Sequence, residues 1–122
     1  MASSLTVRRL GIDLQAPFDR HWLDGDAVAS ALFGALSMSF PVGEQFFIDS
    51  VRRGLQALAP DAAPALRDDA RGFIGQEATH RHLHGQFNAQ LERQGLVNAW
   101  GPRAERRLQR LARADARHWV AI

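Results

Sequence analysis

The 122-residue chain is 46% hydrophobic, 8% aromatic and 23% charged, the balance of one globular domain large enough to bury a core without covalent staples. It contains no Cys, which excludes a disulfide-rich secreted module and any thiolate metal site, and leaves His, Asp and Glu as metal ligands. All 15 basic residues are Arg, but 13 acids reduce the net charge to +2, too little to argue for a nucleic-acid partner.

Arg8-Arg9 leads into Gly11, Asp13 and Gln15, not into a hydrophobic signal segment. No apolar run approaches the roughly 20 residues of a membrane span, so the chain reads as cytoplasmic and away from membranes. Residues 1–23 have no sustained period and include Pro17; they read as an arm laid over a single helical domain of residues 24–122. Asp24 and Asp26 are N-cap candidates, and apolar residues recur at helical spacing from Ala27 to Leu58. Pro41 interrupts this pattern and predicts a kink or break near Ser39-Phe40, with Ser37 and Ser39 satisfying the backbone groups it releases.

Pro60, Asp61 and Pro64 form the next connection. A second helix is expected from about Pro64 or Ala65 to Arg93, with proline in its first turn and Gly95 just past its end. After a loop from Gly95 to Pro102, a third should run from about Arg103 to Val120. Its Arg103, Arg106, Arg107, Arg110, Arg113 and Arg117 oppose Ala104, Leu108 and Leu111, the pattern of a solvated helix face. No segment alternates as a strand would, so the fold class is all-α, an antiparallel helical bundle with a kinked first helix.

The chemistry concentrates on two helices. At 100° per residue, His80 lies about −60° and His84 about −20° from Glu77, so the three share a face. Leu66, Ala70, Phe73, Phe87 and Leu91 continue that stripe, which should be buried, while His82 falls about 140° away at the surface and Arg81 borders the stripe. On the first helix Glu44 points the same way as Phe33, Phe40, Phe47, Ile48, Val51, Leu55 and Leu58. A buried unpaired carboxylate costs several kcal/mol, and two helices repeat the anomaly at mid-length. A metal ion repairs both, because it offsets the carboxylate charge and takes the imidazole lone pairs. Gly43 and Gly75 adjoin the two acids and would let the helix backbones approach.

Singly, each residue has a plainer explanation: Glu-x-x-His arises by chance, a buried His pairs with a carboxylate, and Glu44 pairs with an Arg such as Arg52 or Arg71. Together, four ligands on two apolar stripes favour a metal. Asp115 and His118 repeat the i, i+3 spacing on the third helix and are weaker candidates to join them. No cysteine nucleophile, Gly-x-Ser-x-Gly elbow, phosphate loop or dinucleotide fingerprint is present.

Phe40-Pro41-Val42-Gly43-Glu44-Gln45-Phe46-Phe47, followed by Phe73-Ile74-Gly75-Gln76-Glu77-Ala78-Thr79-His80 and on through His84 to Asn88, resembles the bacterial family of predicted metal-dependent hydrolases. The resemblance covers roughly residues 30–92 by motif. It implies a ferritin-like bundle whose metal site includes Glu44, Glu77, His80 and His84. Members of that family are longer and add ligands from later helices, so the resemblance implies a half-bundle completed by a second copy in a homodimer or by a C-terminal half.

The expected function is therefore metal-dependent hydrolysis. Glu44, Glu77 and His80 would bind one or two divalent ions (Fe, Mn or Zn), with His84 as an additional ligand or an adjacent base. Glu77 and His84 are the catalytic candidates, and a small-molecule substrate is implied. Two alternatives stand beside it: a non-haem di-iron oxidase, and a non-catalytic interaction module with a buried Glu/His network.

Overall fold

The computed structural model describes residues 5–59 and 61–113, which form three helices and no strand: α1 (Ala27–Ala57), α2 (Pro64–Arg93) and α3 (Gly101–Arg113). The fold is an all-helical bundle, as the sequence indicates.

Asp26 caps α1, its Oδ1 accepting from the backbone N–H groups of Val28 (2.8 Å) and Ala29 (2.9 Å). Asp24 is not a cap but sits in a left-handed turn at φ 50, followed by Gly25 at φ 76. Of the kink or break expected at Pro41, a break does not occur: α1 runs through the proline. Proline has no N–H to give the Ser37 carbonyl four residues back, and Asn88 of α2 supplies one instead, its Nδ2 donating to Ser37 O at 3.1 Å. Next along, Asn98 Nδ2 donates to Met38 O at 2.7 Å. Side chains from elsewhere thus carry the helix across its proline. Of the two serines, only Ser39 bonds the local backbone, donating to Leu36 O at 2.7 Å; the Ser37 hydroxyl turns to α2. By length and composition alone, α1 is long and apolar enough to cross a membrane. Its Ser37 and Glu44, however, are buried.

Pro64 opens α2 at its first turn. The helix ends in a Schellman closure, with Leu96 N–H donating to Leu91 O (3.1 Å), Gly95 N–H donating to Glu92 O (2.9 Å), and Gly95 at φ 89. Leu91, 1% exposed, packs where a Cβ on Gly34 would lie 3.3 Å from its Cδ1. Gly34 thus meets Leu91, while Ser37 meets Asn88 and His84, so ascending positions on α1 pair with descending ones on α2 and the helices are antiparallel. Gly43 and Gly75 do not bring them together: a Cβ on Gly43 would touch nothing within 4 Å, and one on Gly75 would meet Val7 Cγ2 at 2.6 Å. Gly72 likewise admits Leu5. Gly72 and Gly75 make room for residues 5 and 7 of the N-terminal segment, which runs across α2. Arg8 N–H donates to Gln76 Oε1 (3.0 Å), Gln94 Nε2 to Phe18 O (2.7 Å), and Gln90 Nε2 to Gln15 O. The Phe18 and Phe87 rings stack at 4.9 Å.

The third helix starts two residues earlier than expected because Asn98 Oδ1 accepts from Gly101 N–H at 2.8 Å, setting its first turn. Arg103, Arg106, Arg107, Arg110 and Arg113 are exposed, and Ala104, Leu108 and Leu111 half-buried, the amphipathic arrangement anticipated. Asp115, Arg117 and His118 lie outside the described residues.

The apolar stripes are less buried than expected. Met38, Ile48, Ala70 and Leu91 form the buried apolar core among the described residues, while Phe33 (48%), Phe47 (50%) and Leu66 (54%) are exposed. Among the described residues, two helices crossed by one arm and by α3 cover a narrower arc than these residues span.

Candidate metal centre

The antiparallel pairing brings Glu44 of α1 against Glu77 and His80 of α2, so that one ligand atom from each lies within 4.8 Å of the others. Glu44 is buried, Glu77 half-buried and His80 exposed. The cluster therefore sits at the edge of the helix seam, open on one side, and not in its middle as the periodicity suggested.

Glu44 is the anomaly that the sequence pointed to. It is 5% exposed, and its Oε2 is buried without a hydrogen-bond partner. Arg52 and Arg71, the expected partners, are turned to Asp49 and Asp68. Burial and then the Glu77 charge push its carboxyl from 4.5 up to about 7, against a smaller opposing pull from Arg81. The Arg81 guanidinium itself donates to Gln45 Oε1.

His84 lies beside the cluster, its Nε2 3.9 Å from Glu44 Oε1 and its ring 4.6 Å from that of Phe40. A chain of hydrogen bonds fixes its proton. The carbonyl of Ser37 can only accept, so the group 3.1 Å from it is the Asn88 NH2, and the Asn88 carbonyl faces the Ser37 hydroxyl at 2.7 Å. That hydroxyl spends its one proton on Asn88 Oδ1 and must accept from His84 Nδ1–H at 2.8 Å. Nε2 is left with a lone pair facing a carboxylate oxygen, an arrangement that calls for a cation or proton between them. Burial, and secondarily His80, lower the His84 pKa and favour this neutral form.

By the same logic, Gln76 Oε1 accepts from Arg8 N–H, so its Nε2 donates to His80 Nε2 at 2.9 Å. The arm thereby orients one of the clustered side chains. His82 is exposed, as expected. Ser37, Gln76 and Asn88 were not assigned to the site from sequence. The signal for Asn88 was available: Pro41 orphans the carbonyl of Ser37, and Asn88 stands one turn after His84.

Asn88→Ala removes the donor to Ser37 O and is expected to cost about 1–3 kcal/mol, as an unsatisfied buried acceptor does. In a Pro41→Ala background the restored N–H at position 41 serves that carbonyl, so the same change should cost less. Urea denaturation of the four proteins measures the coupling, and strictly additive costs would contradict the assignment.

Residues 6–122 match the family described as predicted metal-dependent hydrolase. The chain belongs to this family. No curated protein and no solved structure matches it. For a member of this family of predicted metal-dependent hydrolases, two carboxylates and an imidazole with one orphaned buried oxygen form a fitting donor set for a divalent ion.

Proposed function

We propose that this chain is a metal-dependent hydrolase in which Glu44, Glu77 and His80 hold one divalent ion, with His84 as a fourth ligand through Nε2. The Glu44 carboxylate, with Oε2 buried and orphaned, Oε1 facing the His84 Nε2 lone pair and the Glu77 charge close by, carries this reading. Mixed carboxylate and imidazole donors suit Fe, Mn and Zn. When bound, the ion supplies a water acidified to near-neutral pKa.

The chain's own residues do the rest. Asn88 and Ser37 hold the His84 imidazole with Nε2 turned to Glu44, fixing both its tautomer and its direction. Gln76 steadies His80, and a metal that takes His80 Nε2 exchanges that hydrogen bond for ligation. Glu77, half-buried at the open edge, is the carboxylate we assign to receive a proton from water and pass it to solvent.

Metal analysis of protein purified with added Mn, Fe or Zn tests the assignment. The expected result is about one ion per chain, lost in Glu77→Gln and His80→Ala while far-ultraviolet circular dichroism keeps its helical signal. A wild-type protein that retains no ion, or variants that retain it fully, would overturn the reading.

A further inference from the structure

We propose that a recess beside the cluster binds an amphiphilic organic anion, with an acyl chain or aromatic body and a carboxylate head. This rests on the hydrolase reading, for the recess of about 670 Å³ opens on His80 and His84 and would place the substrate against the metal centre. Its size falls within the range of small-molecule sites.

The lining decides the chemistry. Phe33, Leu36 and Phe40, at i, i+3 and i+7 on α1, form one wall, and Leu83 and Phe87 of α2 another, with Leu10 of the arm across them. Leu10 (52%), Phe33 (48%), Leu36 (45%) and Phe40 (37%) keep substantial exposure, leaving apolar surface for a ligand to cover.

No acidic residue lines the recess, and its permanently charged lining residues are Arg8 and Arg9. Neither is ion-paired among the described residues. An apolar body therefore has somewhere to go, and a negative head has an unneutralised partner near the reacting edge. A larger recess of about 1040 Å³ between α1, α2 and α3 is less suited: the carboxylates of Asp49 and Glu105 stand among its arginines and would oppose an anionic head, and it does not reach His80 or His84.

Octanoate is the probe, with butanoate lacking the apolar body and 1-octanol lacking the charge. Binding to the full chain is followed by ligand-observed NMR in the presence of a chelator, so that no ion captures the carboxylate. Octanoate should bind at least about tenfold more tightly than either comparator, since several buried methylenes and a charge pair each contribute that much. Leu36→Glu, which places a negative charge in the wall, should abolish binding, and Arg8→Ala with Arg9→Ala should weaken it severalfold, both with helical signal retained. Equal affinities for the three compounds, no binding, or binding indifferent to these substitutions would overturn the proposal. So would sedimentation showing that a second copy covers this wall. Metal retention by Leu36→Glu separates the two readings. An ion held in metal analysis while octanoate never binds removes the recess proposal alone, whereas octanoate binding by a wild-type chain that retains no ion in metal analysis without chelator removes the hydrolase reading and leaves an anion site.

Discussion

Glu44→Gln is expected to stabilise the protein at pH 8 when metal is chelated and to destabilise it when metal is supplied. The carboxyl of Glu44 is raised from 4.5 to about 7 in the fold, so its contribution to stability is fully present below the unfolded value and lost as pH rises through about 7. At pH 8 the folded wild-type chain holds an ionised carboxylate with a buried, unpartnered oxygen, facing the lone pair of His84 and the charge of Glu77. Glutamine removes that charge, and the shift converts to a gain of up to about 3 kcal/mol at 1.36 kcal/mol per pKa unit. At pH 5 the wild-type carboxyl is already protonated, and the two proteins should be close in stability. With metal present the order reverses, because the wild type gains binding free energy that the variant loses. An ion at 100 times its Kd adds about 2.7 kcal/mol. Urea unfolding at the two pH values, with chelator and with metal, reads all four numbers. If Glu44→Gln destabilises the chelated protein at pH 8, the carboxylate is satisfied in a way that the structure does not show.

The second large effect is on metal affinity. Glu44 must release its proton before it can bind an ion, so affinity should fall about tenfold for each pH unit below 7 and about a hundredfold by pH 5 from this group alone. His84 adds little to this slope near neutrality, since burial lowers its pKa and the Asn88-Ser37 chain already holds it in the neutral tautomer. Calorimetry at pH 6 in buffers of different ionisation heat should include about one proton released from Glu44 per ion bound, a contribution that falls towards zero at pH 8. An affinity that is flat between pH 5 and 8 would mean that Glu44 is not a ligand.

Most of the architecture was legible because it rests on local rules. Asp26 before Ala27, Pro64 at a first turn and Gly95 beyond Arg93 mark helix ends through capping and backbone preference, and the structure follows all three. Periodicity also placed Glu44, Glu77 and His80 on facing sides of two helices. What it missed were contacts between residues far apart in sequence. The helix interior tolerates Pro41 because Asn88, 51 residues after Ser37, replaces the missing donor. Gly75 serves Val7 of the arm and not the facing helix, a partner that no helical period reveals. Burial was the least legible property. The same stripe that holds Leu91 at 1% exposure leaves Leu66 at 54%, because helix periodicity specifies direction and not how far a neighbour reaches.

The central claim is that one divalent ion sits between α1 and α2 on Glu44, Glu77 and His80, with His84 directed at it. A crystal structure of protein grown with Mn or Zn, with anomalous diffraction collected at the metal edge, tests this most directly. The predicted result is one anomalous peak within about 2.0–2.3 Å of a Glu44 oxygen, a Glu77 oxygen and a His80 nitrogen, with His84 Nε2 turned towards it. A metal-soaked crystal with no peak there, and a protonated Glu44 hydrogen-bonded to His84 Nε2 instead, would contradict it.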